Sequence, residues 1–222
     1  MQQKIGILGA GRVGSAIARV AIAAGYDVAI ASSGPAADLE LLAEIVTPGA
    51  RAMYARGAAE HGDIVVVAVP LHKHTTVDAE LLRGKVVIDT MNYWEPIDGL
   101  LPEFAEAAAD GGAGTSAVVR GHFSGSALVK TLNHIGYHDI ELEARPDAPA
   151  GDPARRALGI AGDDPEAVAA VASFIDGIGF DAVPTGPLAS GVLFQPGSAL
   201  FGARHTAPEL RDLADAHCAA QQ

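Results

Sequence analysis

Apolar and polar positions alternate between two patterns along this chain. Short, nearly continuous apolar runs at 4–8 (Lys4-Ile5-Gly6-Ile7-Leu8), 26–30, 63–69 (Asp63-Ile64-Val65-Val66-Val67-Ala68-Val69) and 85–89 read as strands. Unbroken apolar runs of this kind belong to parallel strands buried on both faces. Between them the spacing predicts helices: one running to Gly25, one over 38–46 on Leu39, Leu42, Ile45 and Val46, and short ones over 56–61 and 77–82. A short strand is expected at 51–54, and further strands at 126–132, 157–162 and 180–184. The helix over 165–178 is well marked, with Asp163 or Asp164 as cap, Pro165 in the first turn and Gly179 at the end. A last helix is expected over 208–219.

This alternation predicts an α/β fold with a doubly wound, mainly parallel sheet, in which the loops after the first, fourth and fifth strands share one carboxyl edge. The stretch 92–114, with Pro96, Pro102 and Gly111-Gly112-Ala113-Gly114, reads as loop, part of it passing over that edge. The segment 147–153 carries two prolines, a glycine and two aspartates, so it reads as a linker or mobile loop. It divides the chain into an N-terminal doubly wound domain, 1–146, and a small C-terminal α/β portion, 147–222.

The first strand breaks into Gly9-Ala10-Gly11-Arg12-Val13-Gly14 before the first helix. In that setting each glycine has its own task. Gly9 permits the tight turn, Gly11 admits a pyrophosphate, and Gly14 lets helix lie on strand. The amide groups opening the helix, with its dipole, attract the anion. Where an NAD-selective site would place an acid, about 20 residues past the turn, this chain has Ala31-Ser32-Ser33-Gly34. With no carboxylate to repel a 2′-phosphate and two hydroxyls to bond it, NADP is favoured over NAD.

Composition narrows the partners. A formal net charge of -12 disfavours a nucleic-acid backbone, which needs clustered Lys and Arg. Cys218 is the sole cysteine, so no intrachain disulfide can form. There is no charged leader followed by an apolar core, and no run reaches the ~20 apolar residues of a membrane span. The expectation is a cytoplasmic protein without membrane or nucleic-acid partners.

The later motifs make a resemblance specific. Val67-Ala68-Val69-Pro70, Asp89-Thr90-Met91-Asn92-Tyr93-Trp94, Val129-Lys130-Thr131-Leu132-Asn133-His134-Ile135, Ala161-Gly162-Asp163-Asp164-Pro165-Glu166 and Gly179-Phe180-Asp181 through Gly186-Pro187-Leu188 follow the glycine turn in order. With that turn, the chain resembles the small NADP oxidoreductases related to the F420-dependent NADP reductases. Their fold is shared by the cytoplasmic domain of the six-transmembrane metalloreductases. The resemblance implies a Rossmann domain, bound NADP(H), and hydride exchange with a deazaflavin (coenzyme F420) or a flavin, with no acid–base dyad. Sheets of this kind often pair, so a homodimer is expected.

The resemblance and the strand ends together nominate residues. Gly9, Ala10, Gly11, Arg12, Val13, Gly14, Ser32 and Ser33 are expected around the nucleotide, with Val69, Pro70, His74 and Asn92 near the nicotinamide. NADP-binding relatives usually carry an Arg just after the serine, where this chain has Gly34. Arg12 is the nearest compensating cation, or else a solvated arginine on the first turn. His72 and His74 are loop histidines that either face the cofactor or do not; as a metal pair they lack a third nearby ligand. Asn133 and His134 either line the acceptor pocket, where His134 would tune proton uptake, or form a polar turn after a strand. Leu188 is expected at the pocket edge or in a dimer contact, and Tyr93-Trp94 either stack on a planar acceptor or pack. The alternatives to a ring acceptor are a non-catalytic NADP(H) sensor and a reductase of a small carbonyl or imine. The latter needs a long helical second domain with a catalytic Lys or Asp, for which the C-terminal portion is too short and too rich in strands.

Overall fold

The computed structural model describes residues 3–109 and 114–220. Its strands are β1 (Lys4–Leu8), β2 (Asp27–Ala31), β3 (Arg51–Ala52), β4 (Ile64–Val67), β5 (Val86–Asp89), β6 (Ala127–Lys130), β7 (Ala157–Gly162) and β8 (Asp181–Gly186). They form one sheet in the order β3-β2-β1-β4-β5-β6-β7-β8. Neighbours run parallel from β3 through β6; β7 pairs antiparallel with β6, and β8 runs parallel to β7. The path runs outward from β1 to β3 and then returns to β4 on the other side of β1. That reversal opens a crevice at the carboxyl ends of β1 and β4, where doubly wound sheets take their ligands.

The helices are α1 (Arg12–Ala23), α2 (Ala36–Val46), α3 (Ala55–His61), α4 (Glu95–Asp98), α5 (Pro102–Ala108), α6 (Thr115–His122), α7 (Tyr137–Glu143), α8 (Pro165–Gly177) and α9 (Ala207–Ala220). Tighter 3₁₀ turns cover Leu71–Thr76, Ala79–Leu82 and Leu188–Phe194. The period-two geometry of a strand divides β4 cleanly. Ile64 and Val66 face a core shared with Ile17 and Ala21 of α1, Ile140 of α7 and Phe174 of α8. Val65 and Val67 face the opposite core, with Ala58 of α3, Phe104 of α5 and Val119 of α6. Burying each such side chain contributes roughly 1.5–3 kcal/mol, enough to fix the register against a one-residue slip. A third cluster seats Leu210 of α9 on Ala157 and Val183.

The structure departs from the sequence reading in three places. The stretch 92–114 contains α4 and α5, whose first turns hold Pro96 and Pro102. There a proline costs no hydrogen bond, so it marks a helix start as readily as a loop. Helices α6 and α7 are additional. The expected helix over 77–82 is a 3₁₀ turn, Ala79–Leu82, preceded by another at Leu71–Thr76. The glycine-rich part at 111–113 and the side chain of Cys218 lie outside what the structure describes.

Asp164 caps α8, its carboxylate accepting from the N–H groups of Glu166 at 2.9 Å and Ala167 at 3.2 Å. The turn before β7 is held by Arg155, buried to 3% exposure, which reaches Asp181 at 2.9 Å and Asp176 at 2.6 Å. The Gly151 N–H also donates to Asp181, at 3.1 Å. No helix among the described residues is long and apolar enough to cross a membrane.

Candidate active site

The site begins at the turn between β1 and α1. Gly9 sits at φ 120°, and a Cβ there would stand 2.3 Å from the Ala68 carbonyl oxygen of the neighbouring loop. A Cβ on Gly14 would meet the Gly9 carbonyl oxygen at 1.9 Å, so the helix can rest on its own turn only if that position is bare. Gly11 differs from both. A Cβ there meets nothing within 4 Å and would project into open space. The protein's own packing therefore does not require Gly11 to be glycine, whereas a ligand in that space would. Gly11 is also the N-cap of α1, which has neither a side-chain cap nor an acid in its first turn. Its leading amides are free for an anion.

Three cavities converge on Gly11. One, of about 610 Å³, runs from Arg12 and Val13 past Val69 and Pro70 to Thr90, Met91 and Asn92, and its mouth is bordered by Trp94, Ile97, Tyr137, Pro196 and Phe201. A second, of about 310 Å³, runs along Gly9 and Ala10 to Ser32, Ser33, Lys73 and Thr76. A third, of about 690 Å³, lies between the start of α1 and α7 and is lined by Ser15, Arg19, His138 and Glu141.

Behind the first cavity stands a hydrogen-bonded wall. Asn92 Nδ2 donates to the Asn133 carbonyl at 2.6 Å, and Asn133 Nδ2 donates to Asn92 Oδ1 at 2.9 Å and to the Phe194 carbonyl at 2.8 Å. His134 Nε2 accepts the Gly159 N–H at 3.1 Å, which leaves its proton on Nδ1, facing Asn133 Oδ1 at 3.4 Å. The His134 ring stacks on Phe194 with centroids 4.7 Å apart. Burial, aided by the positive charges of Arg156, Lys130 and His205, pushes the His134 pKa down to about 3. The imidazole is therefore neutral throughout the physiological range. Leu132, just ahead, takes φ 62°, a left-handed conformation costly for a bulky residue, and it turns Asn133 inward.

Below Asn92, Asp89 and Lys130 form a fully buried ion pair at 3.2 Å. Asp89 also accepts from Ser116 Oγ at 2.9 Å and from the Met91 N–H at 2.9 Å. Lys130 Nζ donates as well to the Met91 carbonyl. Burial lowers the pKa of Lys130, while Asp89 opposes the shift. Both sides of Met91's backbone are thus tied to one pair, which holds the end of β5 in place.

The nominated residues do not all face the cavities. His74 is buried at 8% exposure, bonds the Leu71 carbonyl through Nδ1 at 2.9 Å, and packs edge-on against Phe104 and His122. It sits inside the fold beneath the 3₁₀ turn because its neighbours there are aromatic. Asn133 and His134 likewise stand in the wall, not on the cleft surface, and a pKa near 3 removes His134 from proton uptake. His72 pairs with Asp98 at 2.8 Å. Arg12 donates to the Tyr137 hydroxyl at 3.1 Å and lies over that ring at 5.5 Å, on the α7 side and away from Ser32. Leu188 is core, at 3% exposure. Tyr93 packs on Phe104 with rings 6.2 Å apart, whereas Trp94 borders the cleft and is 55% exposed.

The reading of the chain missed Lys73, Thr76, Ile97, Tyr137, Pro196 and Phe201, which reach the cavities only through tertiary structure. A lysine three residues after Pro70 was the one signal available for Lys73.

A glycine turn, an uncapped helix and a crevice at the switch point of a doubly wound sheet define a Rossmann fold. Residues 4–93 match the model of the family described as NADP oxidoreductase, coenzyme F420-dependent, which points to an NAD(P)-dependent oxidoreductase. No curated protein matches the chain.

Among solved structures, the chain is similar to a hypothetical protein from Sinorhizobium meliloti, with 24% identity and a TM-score of 0.73 over 93% of this chain and 96% of that one. It is also similar to a candidate F420-dependent NADP reductase from an Arthrobacter species, with 22% identity and a TM-score of 0.68 over 86% and 88%. An imine reductase variant from Myxococcus stipitatus, in complex with NAD+, matches at 17% identity and a TM-score of 0.55 over all of this chain but 62% of that one. At these identities the likenesses describe the fold.

Proposed function

We propose that this protein transfers hydride between NADP(H) and a planar ring acceptor, a deazaflavin of the coenzyme F420 type or a flavin. The observation that carries the reading is the convergence of three cavities on Gly11, whose Cβ position is open although the rest of its turn is tightly packed. Gly9, Ala10 and Gly11 would hold the pyrophosphate against the first amides of α1, and Ser32 and Ser33 would border the adenosine end. Arg12 and Val13 line the neighbouring cavity, and Gly14 allows the close packing. Val69, Pro70 and Asn92 would seat the nicotinamide in the 610 Å³ cavity.

When bound, NADPH supplies the redox chemistry as a hydride, two electrons carried with one proton. The chain's own part is to orient two rings and exclude water. Trp94, Ile97 and Phe201 give the cavity an apolar mouth suited to a second ring, and Pro196 and Phe201 come from the C-terminal portion after residue 147. That supports reading 147–222 as the part completing the acceptor end.

The small-substrate alternative fits less well. Asp98 is the one acid on that cavity's described lining, and its carboxylate is taken up by His72 and by the Trp94 N–H at 2.8 Å. A homodimer remains part of the proposal: Leu41 and Ile45, one turn apart on α2, are exposed and suit a partner surface. Light scattering of the purified protein reports on it.

The function is tested by a panel pairing NADPH or NADH with F420, FAD, FMN and quinones, followed by cofactor absorbance. NADPH should be consumed faster than NADH with at least one tricyclic acceptor. Tight NADPH binding with no turnover on any of them would make the protein a sensor.

A further inference from the structure

We propose that Lys73 is the cation that recognises the 2′-phosphate of NADP(H) in this protein, supplied by the loop after β4 in place of the arginine missing beside Ser33. The inference rests on the NADP reading above and assigns its specificity to a residue on a different element. Gly34 ends the serine pair at β2 without a charge, yet the 310 Å³ cavity those serines line is closed opposite them by Lys73 and Thr76. No carboxylate is among that cavity's described lining residues.

The run His72-Lys73-His74 sorts its three side chains in three directions. His72 is held by Asp98 at 2.8 Å, and His74 is buried and bonded to the Leu71 carbonyl at 2.9 Å. Lys73 is exposed and makes no ion pair among the described residues. Its backbone is nonetheless fixed. The Lys73 N–H donates to the Pro70 carbonyl at 2.8 Å, and Thr76 Oγ1 donates to the Lys73 carbonyl at 2.7 Å. A flexible ammonium thus stands on a rigid turn at the cavity wall.

Across from it, Ser32 Oγ accepts the Gly34 N–H at 3.3 Å, so the hydroxyl proton remains available to an anion. A phosphomonoester carrying ~1.5–2 negative charges needs donors and a cation together, and this cavity offers both. NADH and AMP lack that group and draw nothing from Lys73.

The test uses binding alone. Calorimetry compares adenosine 2′,5′-bisphosphate with 5′-AMP on the wild type, Lys73→Ala and Lys73→Arg. The expected result is a loss of about ten- to a hundredfold for the bisphosphate in Lys73→Ala, recovered largely by Lys73→Arg. AMP affinity should stay constant, which also shows that the variant is folded. Equal weakening of both ligands, or none for either while the wild type prefers the bisphosphate, overturns the role of Lys73. A wild type that binds both ligands equally overturns the NADP reading itself, and this inference with it.

Discussion

Asn92 and Asn133 exchange two hydrogen bonds across the end of β5, one from Asn92 Nδ2 to the Asn133 carbonyl at 2.6 Å and one back to Asn92 Oδ1 at 2.9 Å. The pair fixes the back of the proposed nicotinamide cavity, and the third bond of Asn133, to the Phe194 carbonyl, anchors it to the C-terminal portion.

Asn133→Ala removes those side-chain bonds and leaves Asn92 Oδ1 and the Phe194 carbonyl without a donor in a buried place. Each stranded group costs about 1–3 kcal/mol. Chemical denaturation should show a loss of about 2 kcal/mol or more, and NADPH should bind more weakly as Asn92 loses its support. A variant as stable as the wild type would mean that water replaces the pair at no cost.

His134 couples the same wall to pH. Its folded pKa of about 3 lies below the unfolded value near ~6.5, so the folded state holds fewer protons between them. The stability this histidine contributes is complete above about pH 6.5 and is lost as pH falls towards 3, at up to ~1.4 kcal/mol per pH unit. His134→Gln keeps an acceptor for the Gly159 N–H without titrating. Its unfolding free energy should fall less steeply between pH 6.5 and pH 4 than that of the wild type. Parallel slopes would place the acid sensitivity elsewhere.

Much of the sheet was legible because buried parallel strands announce themselves as unbroken apolar runs, as in β4 and β5. Asp164, Pro165 and Gly179 marked α8 for the same kind of local reason. What escaped was non-local or locally ambiguous. Pro96 and Pro102 open helices α4 and α5, yet singly they look like loop residues. Helix α7 is short and polar, with Ile140 its one fully buried side chain, so no apolar period revealed it. Asn133 and His134 looked like a polar turn facing a ligand because nothing in the sequence signals that Leu132 turns left-handed and directs them inward. The glycine turn, by contrast, was readable at Gly9 and Gly14, because their steric constraints are local.

Ser32→Asp places a carboxylate at the end of β2, where it would repel a 2′-phosphate and accept from ribose hydroxyls. The ratio of kcat/KM for NADPH over NADH should fall by roughly tenfold or more and favour NADH. An unmoved ratio would relocate the phosphate.

Trp94→Ala trims the exposed rim of the cavity without touching the glycine turn. Ring contacts of this kind are worth about 0.5–1.5 kcal/mol, so the acceptor KM should rise by roughly two- to tenfold while NADPH affinity is retained. Loss of NADPH binding with no change in acceptor KM would assign Trp94 to the nucleotide.

The measurement that bears most directly on the whole account is a calorimetric titration of NADPH into the wild type and into Gly11→Val. A Cβ at position 11 meets nothing within 4 Å, so the variant should fold normally, yet the valine side chain would fill the space proposed for a diphosphate. Saturable binding to the wild type, abolished in an intact Gly11→Val, is the predicted result. Equal binding by both proteins, or none by the wild type, would contradict it.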